Sequence, residues 1–115
     1  MKLPNTENLL VEREKIVDYL LNLLHRYGAS KARFFISFGF QLEAWEVLAR
    51  ALREHGQRQE IRRSRQTPFG PRFEVEGKLS TPDGQNPMVR IVWQLDKGQI
   101  APRLITAYPL ERNYD

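Results

Sequence analysis

Cysteine is absent from the chain of 115 residues, and histidine occurs only twice. Without cysteine there is no disulfide bond, no thiolate metal ligand and no cysteine nucleophile. Two histidines are too few to predict a self-contained zinc site, so we expect neither a metal nor another cofactor. The sequence also lacks an apolar run of transmembrane length and a signal-peptide start, which predicts a cytoplasmic protein that does not enter membranes.

Lysine is scarce relative to arginine. The chain has 13 Arg and 5 Lys, and its formal net charge is +4. Arginine binds phosphate groups through two parallel hydrogen bonds and stacks on bases, whereas lysine is a point charge. The composition therefore favours a polyanionic partner such as RNA, although surface arginine that only keeps a protein soluble would give the same count.

Three helices are predicted in the first half of the chain, where apolar residues recur at helical spacing. They cover about residues 11–24, 31–38 and 41–54. Gly56 is expected to end the third helix, with His55 as a residue that suits the C-terminal dipole rather than a catalyst. The apolar stripes of the three helices contain, in order, Ile16, Leu20, Leu23 and Leu24; Phe34, Phe35 and Phe38; and Leu42, Trp45, Leu48, Ala49 and Leu52.

Strands are predicted in the second half, because apolar and polar residues alternate there. Three strands cover about 72–79, 88–95 and 104–108, and a more polar fourth strand precedes them at about 60–66. The predicted fold is α+β, with about three N-terminal helices packed on one face of a three- to four-stranded antiparallel sheet. We expect a single domain, residues 1–115, divided into a helical half (1–56) and a sheet half (57–115), with Trp93 under the helices.

The sheet face turned away from the helices is predicted to be polar. Thr106 and Tyr108 are two positions apart and share a face, because Ile105 and Ala107 make the better core face. Carboxylate, guanidinium and phenol groups can together cleave a phosphodiester by transesterification without a metal. A solvated face without activity fits the same pattern. The residues expected on this face are Arg72, Glu74, Glu76, Arg90, Gln94, Thr106 and Tyr108.

Two further groups of residues are candidates for chemistry or RNA binding. His25 and Lys31 stand near the start of the second helix, where they would be a proton donor and a phosphate ligand, or only a turn histidine and a solvated lysine. A basic cluster follows the third helix and consists of Arg58, Arg62, Arg63, Arg65 and Arg72. This cluster favours contact with nucleic-acid phosphates or a charged edge strand that resists aggregation.

Several motifs of the chain resemble an uncharacterised bacterial family. They are the segment 21–35, the Phe69-Gly70 pair before a strand, and the segment 102–109 with its Thr-Ala-Tyr-Pro ending. The family is a domain of unknown function, and the resemblance covers nearly the whole chain. Its layout and ending are similar to the barnase, EndoU, colicin and RelE-like superfamily of metal-independent ribonucleases, many of which are toxins.

The resemblance implies roles for individual residues. Family members have prolines on both sides of their histidine, where this chain has Leu23 and Arg26. Because those prolines are absent, the first helix is free to extend through His25, which would place this residue away from the site. The family's histidine falls on His25 and its lysine falls on Lys31. Its final-strand pair falls on Thr106 and Tyr108, and its basic strand-entry position falls on Arg72 or Arg103.

Two functions from different classes are therefore predicted. The first is an endoribonuclease, the toxin of a bacterial toxin–antitoxin pair, with RNA as substrate and a small acidic antitoxin or immunity protein as partner. The second is a non-catalytic module that binds RNA or a protein through the same basic face. The expected catalytic residues are Lys31, Arg72, Arg90, Thr106, Tyr108 and His25. The expected RNA-binding residues are Arg58, Arg62, Arg63, Arg65 and Arg103.

Overall fold

The computed structural model describes residues 1–110, in which helical segments occupy the first half and strands the second. Helix α1 joins an α-helical turn, Arg13–Lys15, to a π-helical turn, Ile16–Leu20. Helix α2 is Ala29–Ser37, and helix α3 is Trp45–Arg58. Short 3-10 turns lie at Thr6–Asn8 and Leu42–Ala44. None of the helices in the described part of the chain is long and apolar enough to cross a membrane.

Four strands form one antiparallel sheet whose order in space follows their order in the chain. Short turn-rich connections join successive strands, which is the simplest way for alternating segments to pair. The α+β prediction is confirmed, and so is the polar fourth strand at the start of the sheet. The strands are β1 (Ile61–Thr67), β2 (Gly70–Lys78), β3 (Met88–Gln94) and β4 (Arg103–Pro109).

The helices pack on one face of the sheet, and apolar strand residues fill the space between the two layers. Val75, Ile91 and Trp93 point to the same face of the sheet and are fully buried. Trp93 lies under α3 beside Gly56, where an added Cβ atom would come within 3.1 Å of the indole ring. The expectation that Trp93 lies under the helices is confirmed, and Gly56 allows the close approach of the helix. Burial of each such side chain stabilises the fold by about 1.5–3 kcal/mol.

Helix α1 is shorter than the predicted 11–24. The Leu21 N–H donates to the Ile16 carbonyl over 2.8 Å, which closes a wide π-helical turn and ends the helix. The side chain of Asn22 then accepts the N–H of Leu24 in a turn. As a result Leu23 is 52% exposed and Leu24 is 94% exposed, so their predicted place in the apolar stripe is wrong. The expected extension through the histidine is also wrong, since His25 lies in the turn before α2.

Helix α3 begins and ends later than predicted. Gly39 has a φ of +102°, a left-handed conformation that stops α2, and a 3-10 turn then leads into α3. Leu42 lies in that turn and is 43% exposed, while Phe40 is buried instead. Because α3 continues to Arg58, Gly56 does not end the helix, and His55 lies in its last turn instead of at its cap. It faces the sheet, is 3% exposed and donates from Nε2 to the Gly77 carbonyl over 3.1 Å.

The segment before α1 covers part of the free edge of β4. The Leu10 N–H donates to the Pro102 carbonyl, and the Leu10 carbonyl accepts the N–H of Leu104, each over 2.9 Å. These bonds form an isolated parallel bridge between Leu10 and Arg103. The bridge brings α1 beside β4, and this contact sets the position of the candidate site.

Candidate active site

The sheet face turned away from the helices, here called the outer face, is polar and rich in arginine. Side chains opposite each other on paired strands share a face, so the strand register defines its rows. Thr106 and Tyr108 lie on this face, as predicted, and the register pairs Tyr108 with Arg90. Across β2, β3 and β4 the rows are Arg72, Gln94 and Arg103; Glu74, Val92 and Thr106; and Glu76, Arg90 and Tyr108.

Arg90 lies at the centre of one row and contacts groups on both sides. Its guanidinium donates to the Tyr108 hydroxyl over 3.4 Å and to a Glu76 carboxylate oxygen over 2.8 Å. A Glu74 carboxylate oxygen lies 3.6 Å from its Nε. The hydrogen bonds to Tyr108 and Glu76 raise the pKa of Arg90 above its already high ordinary value. Arg90 is therefore a permanent cation with the carboxylates of Glu76 and Glu74 and the phenol of Tyr108 around it.

Tyr19 of α1 connects the outer face to the helical layer. Its hydroxyl forms a 2.9 Å hydrogen bond with the Thr106 hydroxyl, and its ring centroid lies 5.6 Å from the Lys31 ammonium group. Lys31 and Tyr108 also line a common cleft of about 390 Å³. The structure thus brings four predicted site residues together. After the role predicted for it from the sequence, we call this group the catalytic cluster: Lys31, Arg90, Thr106 and Tyr108.

Sequence reasoning did not identify Tyr19, because no local pattern distinguishes it from other residues of the first helix. It lies in the π-helical turn, a feature that is frequent at functional sites. Gly28 packs directly on it, and an added Cβ atom there would lie 2.7 Å from the Tyr19 ring. A tyrosine paired with a glycine nine positions later carries no recognisable signal, so only the tertiary structure reveals this residue.

His25 lies in the turn between α1 and α2, and its ring centroid is 5.0 Å from that of Tyr19. Its Nδ1 accepts the backbone N–H groups of Tyr27 and Gly28 over 3.0 and 2.9 Å. A nitrogen that accepts two hydrogen bonds carries no proton, so the ring proton is on Nε2. The imidazole therefore braces the turn and offers one N–H donor outward, and its role as a proton donor stays a prediction.

Arg72 and Arg103 lie at the other end of the outer face, and the structure does not bring them into the catalytic cluster. Both flank Gln94, and Gln94 is four residues from Arg90 on β3, or about 13 Å along the strand. Arg72 donates to the Gln94 side chain over 2.9 Å. Arg103 pairs with Asp96 over 2.5 Å, and this contact raises the pKa of Arg103. The predicted site is thus divided into two groups.

The remaining arginines predicted to bind RNA form an exposed margin, here called the basic edge. β1 is an edge strand, and all its interior residues are exposed. Arg65 pairs with Arg72 and Arg63 with Glu74, so both extend the rows of the outer face. A register shift between Ile61 and Arg63 leaves Arg62 as the additional residue. The basic edge consists of Arg58 at the end of α3 and Arg62, Arg63 and Arg65 on β1.

Comparisons with known proteins identify a family and a similar fold. A family described as a domain of unknown function, DUF6883, matches residues 2–111, which confirms the family resemblance predicted from the motifs. No curated protein matches the chain significantly. A chain of a contact-dependent growth inhibition toxin–immunity protein complex from Klebsiella pneumoniae 342 has a similar structure, with a TM-score of 0.70 and 19% sequence identity. The similarity covers 93% of this chain and 97% of that chain, and it shows a shared fold.

Proposed function

The chain belongs to the family of domains of unknown function DUF6883, and we propose that it is a metal-independent ribonuclease that acts as a bacterial toxin. The single observation that carries this proposal is the catalytic cluster, in which a guanidinium, an ammonium, a phenol and a hydroxyl meet beside two carboxylates. The shared fold with a chain of a toxin–immunity protein complex supports the toxin role. The proposed target is RNA in the cytoplasm of the intoxicated cell.

The proposed reaction is an internal transesterification. A carboxylate of Glu74 or Glu76 takes the proton of the ribose 2′-hydroxyl, and the 2′-oxygen attacks the adjacent phosphorus. The bond from phosphorus to the 5′-oxygen breaks, and the leaving oxygen takes a proton from the Tyr108 hydroxyl. The products are a 2′,3′-cyclic phosphate and a 5′-hydroxyl. The protonated carboxylate then loses its proton to water and the Tyr108 phenolate takes one up from water, which restores the starting state.

Charge stabilisation is assigned to Arg90 and Lys31. The phosphorane formed during attack carries more negative charge than the substrate, so fixed cations next to it lower the barrier. Arg90 is held in place by Glu76 and Tyr108, and therefore needs little reorganisation when the charge develops. Thr106 is assigned a hydrogen bond to a phosphate oxygen, with its own hydroxyl oriented by Tyr19.

RNA binding is assigned to the basic edge together with Arg72 and Arg103. Arg63, Arg65 and Arg72 continue the rows of the outer face towards β1, and Arg103 lies at the end of that face beside Gln94. An RNA strand lying across the sheet from the catalytic cluster would therefore meet further phosphate ligands. Each phosphate contact to single-stranded RNA releases bound counterions and makes affinity depend on salt. A small acidic immunity protein could cover the same cationic surface, which is the partner proposed here.

The decisive experiment is single-turnover cleavage of labelled RNA by the purified protein in EDTA, with detection of the cyclic phosphate end. We expect Arg90→Gln to lower the rate about 10²- to 10³-fold, as the loss of one transition-state donor does. Arg50→Gln, on the exposed side of α3, is the matched control and should retain full activity. Equal rates for the two variants, or cleavage that requires a divalent metal, would contradict the proposal.

A non-catalytic binding module is the second candidate function. It is favoured by the engagement of both carboxylates: Glu76 is bound to Arg90 over 2.6 Å, and Glu74 lies 3.6 Å from it, so neither is a free base in this state. For this candidate we expect no cleavage product in that experiment, while a separate titration of the same labelled RNA shows salt-dependent binding. That outcome would replace the ribonuclease proposal.

A further inference from the structure

A cavity of about 680 Å³ has Thr106 of the catalytic cluster in its lining, and it shares no lining residue with the cleft of Lys31 and Tyr108. Tyr19 and Thr106 line it, and these two side chains are joined by the hydrogen bond described above. A nucleotide whose phosphate contacts the catalytic cluster therefore has this cavity as its immediate neighbour. The volume is ample for a nucleobase with its sugar.

The apolar wall of the cavity comes from a bulge in β4. Leu104 pairs with Trp93 and Thr106 pairs with Val92, so Ile105 between them has no partner on β3. A bulge of this kind re-aims a side chain, and such bulges are frequent next to active sites. Ile105 consequently lines the cavity instead of continuing the sheet alternation.

Tyr27 contributes an aromatic ring to the cavity, and this ring is not packed in the hydrophobic core. It is 70% exposed, and its ring centroid lies 6.3 Å from that of His25, which lines the same cavity. The Arg26 guanidinium lies 5.5 Å from the Tyr27 ring centroid. Exposed aromatic rings of this type are the surfaces on which proteins stack unpaired bases. The proton on His25 Nε2 adds a fixed hydrogen-bond donor.

The charges around the cavity differ from those of the outer face. Three exposed carboxylates line it, from Glu12, Glu14 and Asp18, against one cation, Lys15. A phosphate is repelled by this rim, whereas an uncharged base with N–H donors is attracted to it. The proposed phosphate ligands and base ligands therefore line two different clefts.

We infer that this cavity, defined by Tyr19, His25, Tyr27, Ile105 and Thr106, is a nucleobase pocket that prefers guanine in single-stranded RNA. Guanine presents adjacent N1–H and N2–H donors, which can bond both oxygens of one carboxylate, while adenine, cytosine and uracil lack that pair. The inference rests on the proposed function for its substrate, and it names the base that flanks the cleaved phosphate.

The test uses single-stranded 2′-O-methyl oligouridylates with one central base, because these RNAs cannot be cleaved by 2′-hydroxyl attack. Fluorescence anisotropy gives Kd for central guanine, inosine, adenine, cytosine and uracil. We expect guanine to bind about 10-fold more tightly than uracil, and inosine, which lacks the N2 amino group, to lose most of that preference. The double variant Asp18→Asn, Glu14→Gln should bind the guanine oligonucleotide about as weakly as the adenine oligonucleotide.

Tyr27→Ala should lower the affinity for the guanine oligonucleotide about 10-fold. Tyr27→Phe should bind it as tightly as the wild type does, because stacking needs the ring and not the hydroxyl. Phe69→Ala is the matched control: Phe69 is a similarly exposed aromatic residue, 68% exposed, in the turn between β1 and β2. It should leave the ratio of guanine to uracil affinities unchanged.

The outcomes separate this inference from the proposed function. If Tyr27→Ala loses the preference for guanine and the wild-type protein never cleaves unmodified RNA, the nucleobase pocket is supported and the proposed ribonuclease function is refuted. Cleavage with equal affinity for all five bases would overturn the pocket and leave the ribonuclease standing. Equal effects of Tyr27→Ala and Phe69→Ala on the base ratio, or no oligonucleotide binding at all, would also overturn the pocket.

Discussion

The buried imidazole of His55 should make the stability of the fold depend on pH. The side chain is 3% exposed, and its Nε2 donates to the Gly77 carbonyl, so its Nδ1 is the unprotonated nitrogen. That Nδ1 atom is buried and has no hydrogen-bond partner in the structure. Protonation would place a charge and an unsatisfied donor in the core, and burial accordingly lowers the pKa of His55 from 6.5 to about 4.

The sign of the effect follows from the lowered pKa of His55. Above pH 6.5 the imidazole is neutral in both the folded and the unfolded chain, and it imposes no penalty. Between pH 6.5 and about 4 the unfolded chain binds a proton that the folded chain does not, so the free energy of unfolding falls as pH falls. At about 1.4 kcal/mol per pH unit, the full loss is on the order of 3 kcal/mol.

The assay is urea unfolding followed by tryptophan fluorescence at a series of pH values from 7.5 to 4, for wild type and His55→Gln. The glutamine amide can still donate to the Gly77 carbonyl but does not titrate in this range, so its unfolding free energy should vary much less between pH 6.5 and 5. Carboxylates titrate in both proteins, and the difference between the two curves cancels their contribution. A wild-type curve that is flat over this interval, or parallel curves for the two proteins, would refute the reasoning.

Three other predictions concern the core, the site and RNA binding. Trp93→Ala removes a fully buried side chain and should cost about 3–5 kcal/mol in urea unfolding; a folded variant with little loss would show that the strand faces are inverted. Tyr19→Phe removes the hydrogen bond to Thr106, so RNA cleavage should fall about 10-fold with Tm changed by only a few degrees; an unchanged rate would exclude the positioning role. Arg65→Gln should reduce the slope of log affinity for RNA against log salt by about 0.7, and an unchanged slope would remove this residue from the interface.

Local pattern was sufficient for the sheet. The alternation around Val75, Ile91 and Trp93 predicts the buried face, because each strand has a period of two and one face must leave water. The same alternation places Thr106 and Tyr108 together on the opposite face, beside Arg90. These outcomes depend on neighbours within a few residues, which a sequence records directly.

Helix ends were less predictable, because they depend on packing and hydrogen bonds that local pattern does not specify. The apolar residues Leu23 and Leu24 continue the helical spacing, yet the π-helical turn ends α1 at Leu20 and leaves both exposed. His55 lies in the last turn of α3, near the predicted helix end, but it is buried there and bonded to β2, which helical spacing alone does not indicate.

By itself, the sequence determined the fold class, the inner and outer faces of β2 and β3, and all four residues of the catalytic cluster. On β4 it was wrong about Ile105, which was expected in the core and instead lines the cavity because of the bulge. Only the tertiary structure decided that Tyr19 bonds Thr106 across 87 positions of the chain, and that Arg72 lies about 13 Å along the strand direction from the row of Arg90. The physical reason is that periodicity specifies which way a side chain faces. Distances between elements depend on strand register, on the bulge at Ile105 and on the bridge that brings α1 beside β4.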